Sequence, residues 1–239
     1  MHQPRLPPGK SCLTSFARGL APITPTRPLW PSPGRSFERT LAHGRHHGSS
    51  ELRPARREEA AVLAALVNDA GEGLPLYLWA KLAQPGESAW DVGGKRAERK
   101  EGSFSWRNTI ITEVDGEVAG CLIGYEIADQ PGPIPADMPA MFVPLQQLED
   151  LAPGTWYVDL LAVPPEHRGK GLGTKLLTFA DETGRKLGKR GMSVIVSDGN
   201  ASARRLYDRC GYRETPRREM VKESWTNPGR EWVLLTKSL

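Results

Sequence analysis

From Glu51 onward, short apolar runs of period two alternate with longer stretches of period 3.6, the signatures of half-buried strands and amphipathic helices. Glu51–Ala55 reads as a short first strand, and Glu58–Ala70, rich in Ala and Leu, as a helix that Gly71 ends. A second helical stretch includes Leu76–Leu82. Thr109–Val114 and Glu117–Ile127 are strands joined by Asp115-Gly116, a strong hairpin signal. Trp156–Val163 is the next strand. A glycine-rich turn then opens a helix whose Leu172, Leu176, Ala180, Gly184 and Leu187 share one face. Met192–Ser197 is a β-branched strand, Asn200–Cys210 a helix, and Tyr212–Val221 with Glu231–Lys237 a closing strand pair. Strands and helices mixed in this order predict one α/β (α+β) domain over residues 51–239.

Two segments exceed the usual length of connections, Gln84–Arg107 and Asp129–Gly154. Tyr77, Trp79, Trp90, Phe104 and Trp106 flank or fill the first, and prolines at 131, 133, 135, 139 and 144 stiffen the second. These aromatic residues either pack the insert against the core or partly enclose a pocket.

Residues 1–50 carry no sustained period, and prolines at 22, 25, 28, 31 and 33 rule out a helix there. Seven of the 32 Lys and Arg residues lie in this stretch against one of the 28 acids, which leaves 25 bases and 27 acids beyond it. The formal charge of +4 therefore belongs to a basic, disordered Pro/Arg-rich leader, and nothing in the folded part asks for nucleic acid. An Arg- and Ser-containing, acid-poor leader also fits an organellar targeting segment, although its prolines spoil the amphipathic helix such segments need. A third reading is that the true start lies downstream of Met1. His43, His46 and His47 read as a solvated cluster rather than a metal tract. No apolar run reaches the ~20 residues of a membrane span. Cys12, Cys121 and Cys210 are too few and too scattered for a disulfide framework or a zinc site, which points to the reducing cytoplasm.

The chemistry concentrates after the fourth strand, in Val163-Pro164-Pro165-Glu166-His167-Arg168-Gly169-Lys170-Gly171-Leu172-Gly173-Thr174. Glycines between a strand and a helix expose backbone N–H groups at a helix N-terminus, where the dipole favours an anion. Arg168 and Lys170 add charge, so the stretch reads as a pyrophosphate cradle. The glycine intervals do not fit Gly-x-Gly-x-x-Gly, and Gly173-Thr174-Lys175 reverses the end of a P-loop. What fits is Arg-x-x-Gly-x-Gly, and this resembles the acyl-CoA loop of the GCN5-related N-acetyltransferase (GNAT) superfamily. Asn200-Ala201-Ser202-Ala203-Arg204-Arg205-Leu206-Tyr207-Asp208-Arg209-Cys210-Gly211-Tyr212 is similar to the family's Asn-x-x-Ala-x-x-Leu-Tyr-x-x-x-Gly-Phe/Tyr segment. Asn200 also suits a helix N-cap and Gly211 the residue after a helix end.

The resemblance implies a central mixed, mostly antiparallel sheet flanked by helices, and acetyl transfer from acetyl-CoA, as co-substrate, to a primary amine. A small-molecule acceptor is favoured over a protein, with no membrane or nucleic-acid partner, no metal, and a monomer or homodimer. Leu161, Ala162, Val163, Arg168, Gly169, Lys170, Gly171, Leu172, Gly173, Thr174 and Asn200 would bind the cofactor, Leu161 and Val163 through their backbones. Strict alternation puts Tyr157, Asp159, Leu161 and Val163 on one face of the strand and Trp156, Val158, Leu160 and Ala162 on the other. Asp159, a carboxylate in an apolar strand, is the candidate base, with Tyr157 or a water chain as alternatives, and a salt bridge as its non-catalytic explanation. Tyr207 is the candidate general acid for the thiolate. The competing class is a non-catalytic acyl-CoA-binding regulatory or sensor module.

Overall fold

The computed structural model describes residues 50–239; the expected leader up to residue 49 and its histidines lie outside them. Seven strands form one sheet in the order β1-β2-β3-β4-β5-β7-β6: β1 (Ser50–Pro54), β2 (Thr109–Val114), β3 (Glu117–Glu126), β4 (Thr155–Ala162), β5 (Gly191–Ser197), β6 (Arg213–Glu219) and β7 (Glu231–Ser238). Every neighbouring pair is antiparallel except β4 and β5. The mixed, mostly antiparallel sheet implied by the sequence is therefore the one observed. Asp115 and Gly116, both at positive φ, make the β2–β3 turn as the Asp-Gly pair requires.

Helices cover both faces. On one side lie α1 (Ala60–Ala70), α2 (Leu74–Leu82) and α3 (Ala89–Ala97), and further along the chain α4 (Val143–Glu149). On the other, α5 (Leu172–Lys186) buries Leu176, Leu177 and Ala180 against Trp156, Val158 and Val194, with Tyr207 of α6 (Ala201–Arg209) in the same cluster. The first insert thus holds a helix, α3, that apolar periodicity does not mark. Its signal is the capping box at its start: Asp91 N donates to Ser88 Oγ at 3.1 Å, and Ser88 N donates to Asp91 Oδ2 at 2.9 Å. Gly93 lets α3 settle on Trp79, whose ring would lie 2.5 Å from a Cβ there. The second insert holds α4, with Pro144 in its first turn, where no N–H is missed.

One irregularity decides the functional end of the sheet. Ile123 opposes Leu160 but Gly124 opposes Val158, so Asp159 is the extra residue of a β-bulge. The bulge cancels strict alternation along β4. Before it, Trp156 and Val158 face α5; beyond it Leu161 and Val163 join that cluster, while Leu160 and Ala162 pack with α1 and α3. Leu161 and Val163 therefore do not share a face with Tyr157, contrary to the alternation rule, because one added residue reverses every side chain that follows it.

The same strand pair makes a stability prediction. A Cβ on Gly124 would lie 2.0 Å from the indole of Trp156, which is fully buried. Gly124→Ala is expected to lower folding stability by about 2–3 kcal/mol, read as a lower denaturant midpoint at unchanged slope. An unshifted midpoint would show that the indole can move aside.

Candidate active site

Strands β4 and β5 pair only from Thr155↔Gly191 to Val158↔Val194. Past that point β4 continues along β3, and β5 continues along β7 to Ser197↔Trp232. The two strands separate at the bulge and leave a cleft in the middle of the sheet. A cavity of about 610 Å³ fills it, lined by β4 from Asp159 to Ala162, by Val163, by β5 from Val194 to Ser197, by the glycine turn, and by Asn200, Leu206 and Tyr207.

The glycine turn forms the cavity's outer end. After a short turn at Pro165–His167, Gly169 and Gly171 take φ of 76° and 80°, the left-handed region that side chains disfavour. Nothing lies within 4 Å of where their Cβ atoms would be. Gly171 is the N-cap of α5, with no side chain capping the first-turn N–H groups, so those donors face an open cradle. Gly173 serves packing instead: a Cβ there would meet Leu206 of α6 at 2.8 Å. Arg168 braces the turn, its Nε donating to the Val163 carbonyl at 2.8 Å and its Nη2 to Asp69 of α1 at 3.0 Å. Backbone donors, a helix N-terminus and nearby cations suit a pyrophosphate, and the cleft behind offers the unpaired edge of β4 to an extended chain. The residues present fit coenzyme A.

Of the positions read from the sequence as cofactor ligands, Leu161, Ala162, Val163, Arg168, Gly169, Gly171, Leu172, Gly173, Thr174 and Asn200 all line this cavity; Lys170 is exposed and is not part of the lining. Asn200 is also the N-cap of α6, its Oδ1 accepting from Ala203 N at 3.1 Å. Tyr207 lines the cavity from α6, and its ring meets that of Tyr212 edge-on with centroids 5.5 Å apart. Burial, with a smaller contribution from Cys210, pushes the Tyr207 phenol above the usual tyrosine range.

A second, smaller cavity of about 140 Å³ opens on the other side of the bulge. Its wall combines Leu74 and Leu78 of α2, Phe142 and Leu145 of the second insert, Tyr157 and Ile195. Asp159, Leu160, Ile195 and Trp232 line both cavities. Tyr157 belongs only to the smaller one, where its ring lies 5.1 Å from Tyr125, whose hydroxyl donates to the buried Glu149 at 2.9 Å. Of the aromatic residues in and around the first insert, Phe104 lines this cavity, whereas Trp79 is buried among α1 and α3 and Trp90 is nearly half exposed.

Sequence reasoning missed Trp232, Ile195, Phe142 and Leu145. No local spacing marks them, since β7 reaches the site only through its pairing with β5. The β6–β7 loop adds a roof. Trp225 stacks on Trp232 at 6.0 Å and donates to the Glu72 carbonyl at 3.2 Å, and Asn227 Nδ2 donates to the Glu72 carboxylate at 2.7 Å. The loop is thereby tied to the turn between α1 and α2.

Comparison with known proteins agrees with this architecture. Residues 76–212 match the sequence model of the acetyltransferase (GNAT) family. Over 61 residues the chain is 43% identical to the acetyltransferase Atu2258 of Agrobacterium fabrum, a match that covers 26% of this chain and spans 43% of that protein's length. The fold resembles the crystal structure of an acetyltransferase at TM-score 0.56 and 23% identity, covering 78% of this chain and 98% of the other. It also resembles a Drosophila melanogaster polyamine N-acetyltransferase at TM-score 0.54 and 16% identity, covering 80% and 100%. With its cradle, split strands and matching sequence, the chain belongs to the acetyltransferase (GNAT) family.

Proposed function

We propose that this protein transfers the acetyl group of acetyl-CoA to a primary amine of a small molecule, with Asp159 as base and Tyr207 as general acid. The observation that carries the reading is the position of Asp159 at the bulge, in the wall of both cavities. A donor reaching along β4 from the glycine turn and an acceptor in the smaller cavity would meet there.

Acetyl-CoA supplies a thioester, an acyl carbon with a thiolate leaving group. The protein's part is to hold both substrates and move two protons. An alkylammonium has no free lone pair, so a proton must leave before or as the nitrogen bonds to the acyl carbon. Asp159 receives that proton, directly or through one water, and the second proton that nitrogen must lose passes to solvent as the tetrahedral adduct collapses to the neutral amide. As the carbon–sulfur bond breaks, Tyr207 gives its phenolic proton to the sulfur. Burial holds the Tyr207 phenol above the usual tyrosine range, so it enters the reaction protonated, gives its proton up only to the thiolate as that forms, and regains one from solvent. Arg168 to Thr174 hold the phosphates, with Lys170 contributing charge from outside the lining, and the backbone of β4 beyond the bulge pairs with the amides of the extended arm. Asn200 holds the start of α6, and so the approach of Tyr207, in place.

The polyamine N-acetyltransferase that shares the fold forms N-acetylagmatine, which agrees with an amine acceptor here. A CoA-binding module without catalysis would need neither an acid in the cleft wall nor a second cavity beside it. Calorimetry with acetyl-CoA, combined with thiol release in the presence of amines, tests the reading: binding without amine-dependent release would show a binding module instead.

Tyr207→Phe removes only the phenolic proton. Acetyl-CoA affinity is expected to hold while kcat falls by roughly ten- to a thousandfold. An unchanged kcat would leave Tyr207 as a packing partner of Tyr212 and reopen the assignment of the acid.

A further inference from the structure

The smaller cavity says what kind of amine the site takes. Its lining is apolar except for the Tyr157 hydroxyl, the indole N–H of Trp232, and Asp159 at the inner end, where this cavity meets the cofactor cavity. Asp159 is the one acid among the described residues that line it. The residues farther from the bulge, Leu74, Leu78, Phe142 and Leu145, carry no polar side-chain atom. Outside the lining, Glu149 accepts from the Tyr125 hydroxyl at 2.9 Å, and Glu223 bonds Tyr77 and Lys81. At about 140 Å³ the cavity is also less than half the smallest volume usual for a drug-sized ligand.

We infer that the acceptor is a small apolar monoamine, an alkyl- or arylalkylamine whose amino group lies at Asp159 and whose uncharged tail fills the pocket between α2, the second insert and Trp232. This rests on the acetyl-transfer reading above and narrows it. One carboxylate at the inner end satisfies one ammonium. A second cationic group at the far end of the same molecule would be stripped of water among leucines and a phenylalanine with no counter-charge, which strongly disfavours binding. A tail of methylenes or a ring instead gains from leaving water. The pocket therefore selects on the end of the molecule that does not react.

The test is a matched pair of acceptors. n-Hexylamine and 1,6-diaminohexane offer the same reacting end and chain length but differ in a terminal methyl or ammonium. With acetyl-CoA and the full chain, kcat/KM for thiol release is expected to favour n-hexylamine by on the order of a hundredfold, with phenethylamine also accepted. Equal or better turnover of the diamine would overturn the apolar-monoamine assignment while leaving acetyl transfer intact. Tight acetyl-CoA binding with no thiol release for any of the three amines, nor for spermidine or a lysine peptide, would instead refute the catalytic reading and this one with it. Leu78 is only partly buried, so Leu78→Glu is a usable second arm. An acid at the pocket's outer end should lower kcat/KM for n-hexylamine and raise it for the diamine, narrowing the preference at least tenfold. A folded Leu78→Glu protein with the wild-type preference would show that the amine's tail lies elsewhere. Should that variant not fold, the wild-type pair still decides.

Discussion

Gly171→Asp is expected to abolish measurable acetyl-CoA binding while the domain stays folded. Gly171 sits at φ 80° as the N-cap of α5, at the mouth of the cradle. A carboxylate there would place a negative charge against the incoming phosphates and occupy the space that backbone donors need. The interaction is both steric and electrostatic, and a loss of at least about a hundredfold in affinity follows from removing several charge-assisted hydrogen bonds at once. The cost to folding is small by comparison. Nothing lies within 4 Å of the added Cβ, and aspartate tolerates the left-handed region better than most residues, at roughly 1–2 kcal/mol. Isothermal titration beside a thermal unfolding curve separates the two effects. Wild-type affinity in this variant would mean that the phosphates are not held by this turn.

Asp159→Asn should lower kcat/KM by about 10²–10⁴-fold near neutral pH without changing acetyl-CoA affinity. The amide keeps the shape of the bulge residue but cannot take a proton. The variant must then rely on amine already deprotonated in solution, on the order of one part in a thousand near pH 7.4 for an amine of pKa about 10.4. Its activity should therefore climb about tenfold per pH unit up to that pKa, and the gap to the wild-type enzyme should close as pH rises. A deficit that is the same at every pH would mean that Asp159 positions the substrate rather than accepting its proton. A profile identical to wild type would transfer the role to Tyr157 or to a water chain.

The elements that carry their own signal were readable along the chain. The Asp115-Gly116 hairpin, the helix ended by Gly71, the apolar stripe of α5 and the glycine turn are encoded by residues within a few positions of one another, and local sterics and hydrogen bonding decide them. Helix α3 was equally local, through Ser88 and Asp91, but its two glycines and polar composition hid the apolar pattern that would have drawn attention to it. The face assignment along β4 failed for a different reason. A bulge is a property of two paired strands, and nothing in Tyr157-Val158-Asp159-Leu160 says that Ile123 will oppose Leu160 while Gly124 opposes Val158.

The sequence by itself determined the family-like cradle, the order of the strands, and the identity of Asp159 and Tyr207 as chemically suitable groups, because each depends on residue type and near spacing. The tertiary structure alone decided that Asp159 stands where two cavities meet, and that Leu74, Leu78, Phe142, Leu145 and Trp232, drawn from three separate stretches of chain, enclose the smaller one. A pocket is the space left between elements. Its shape depends on where β4 and β5 part and on which loop crosses over them, and those are outcomes of packing between residues more than a hundred positions apart, as Trp225 on Glu72 shows.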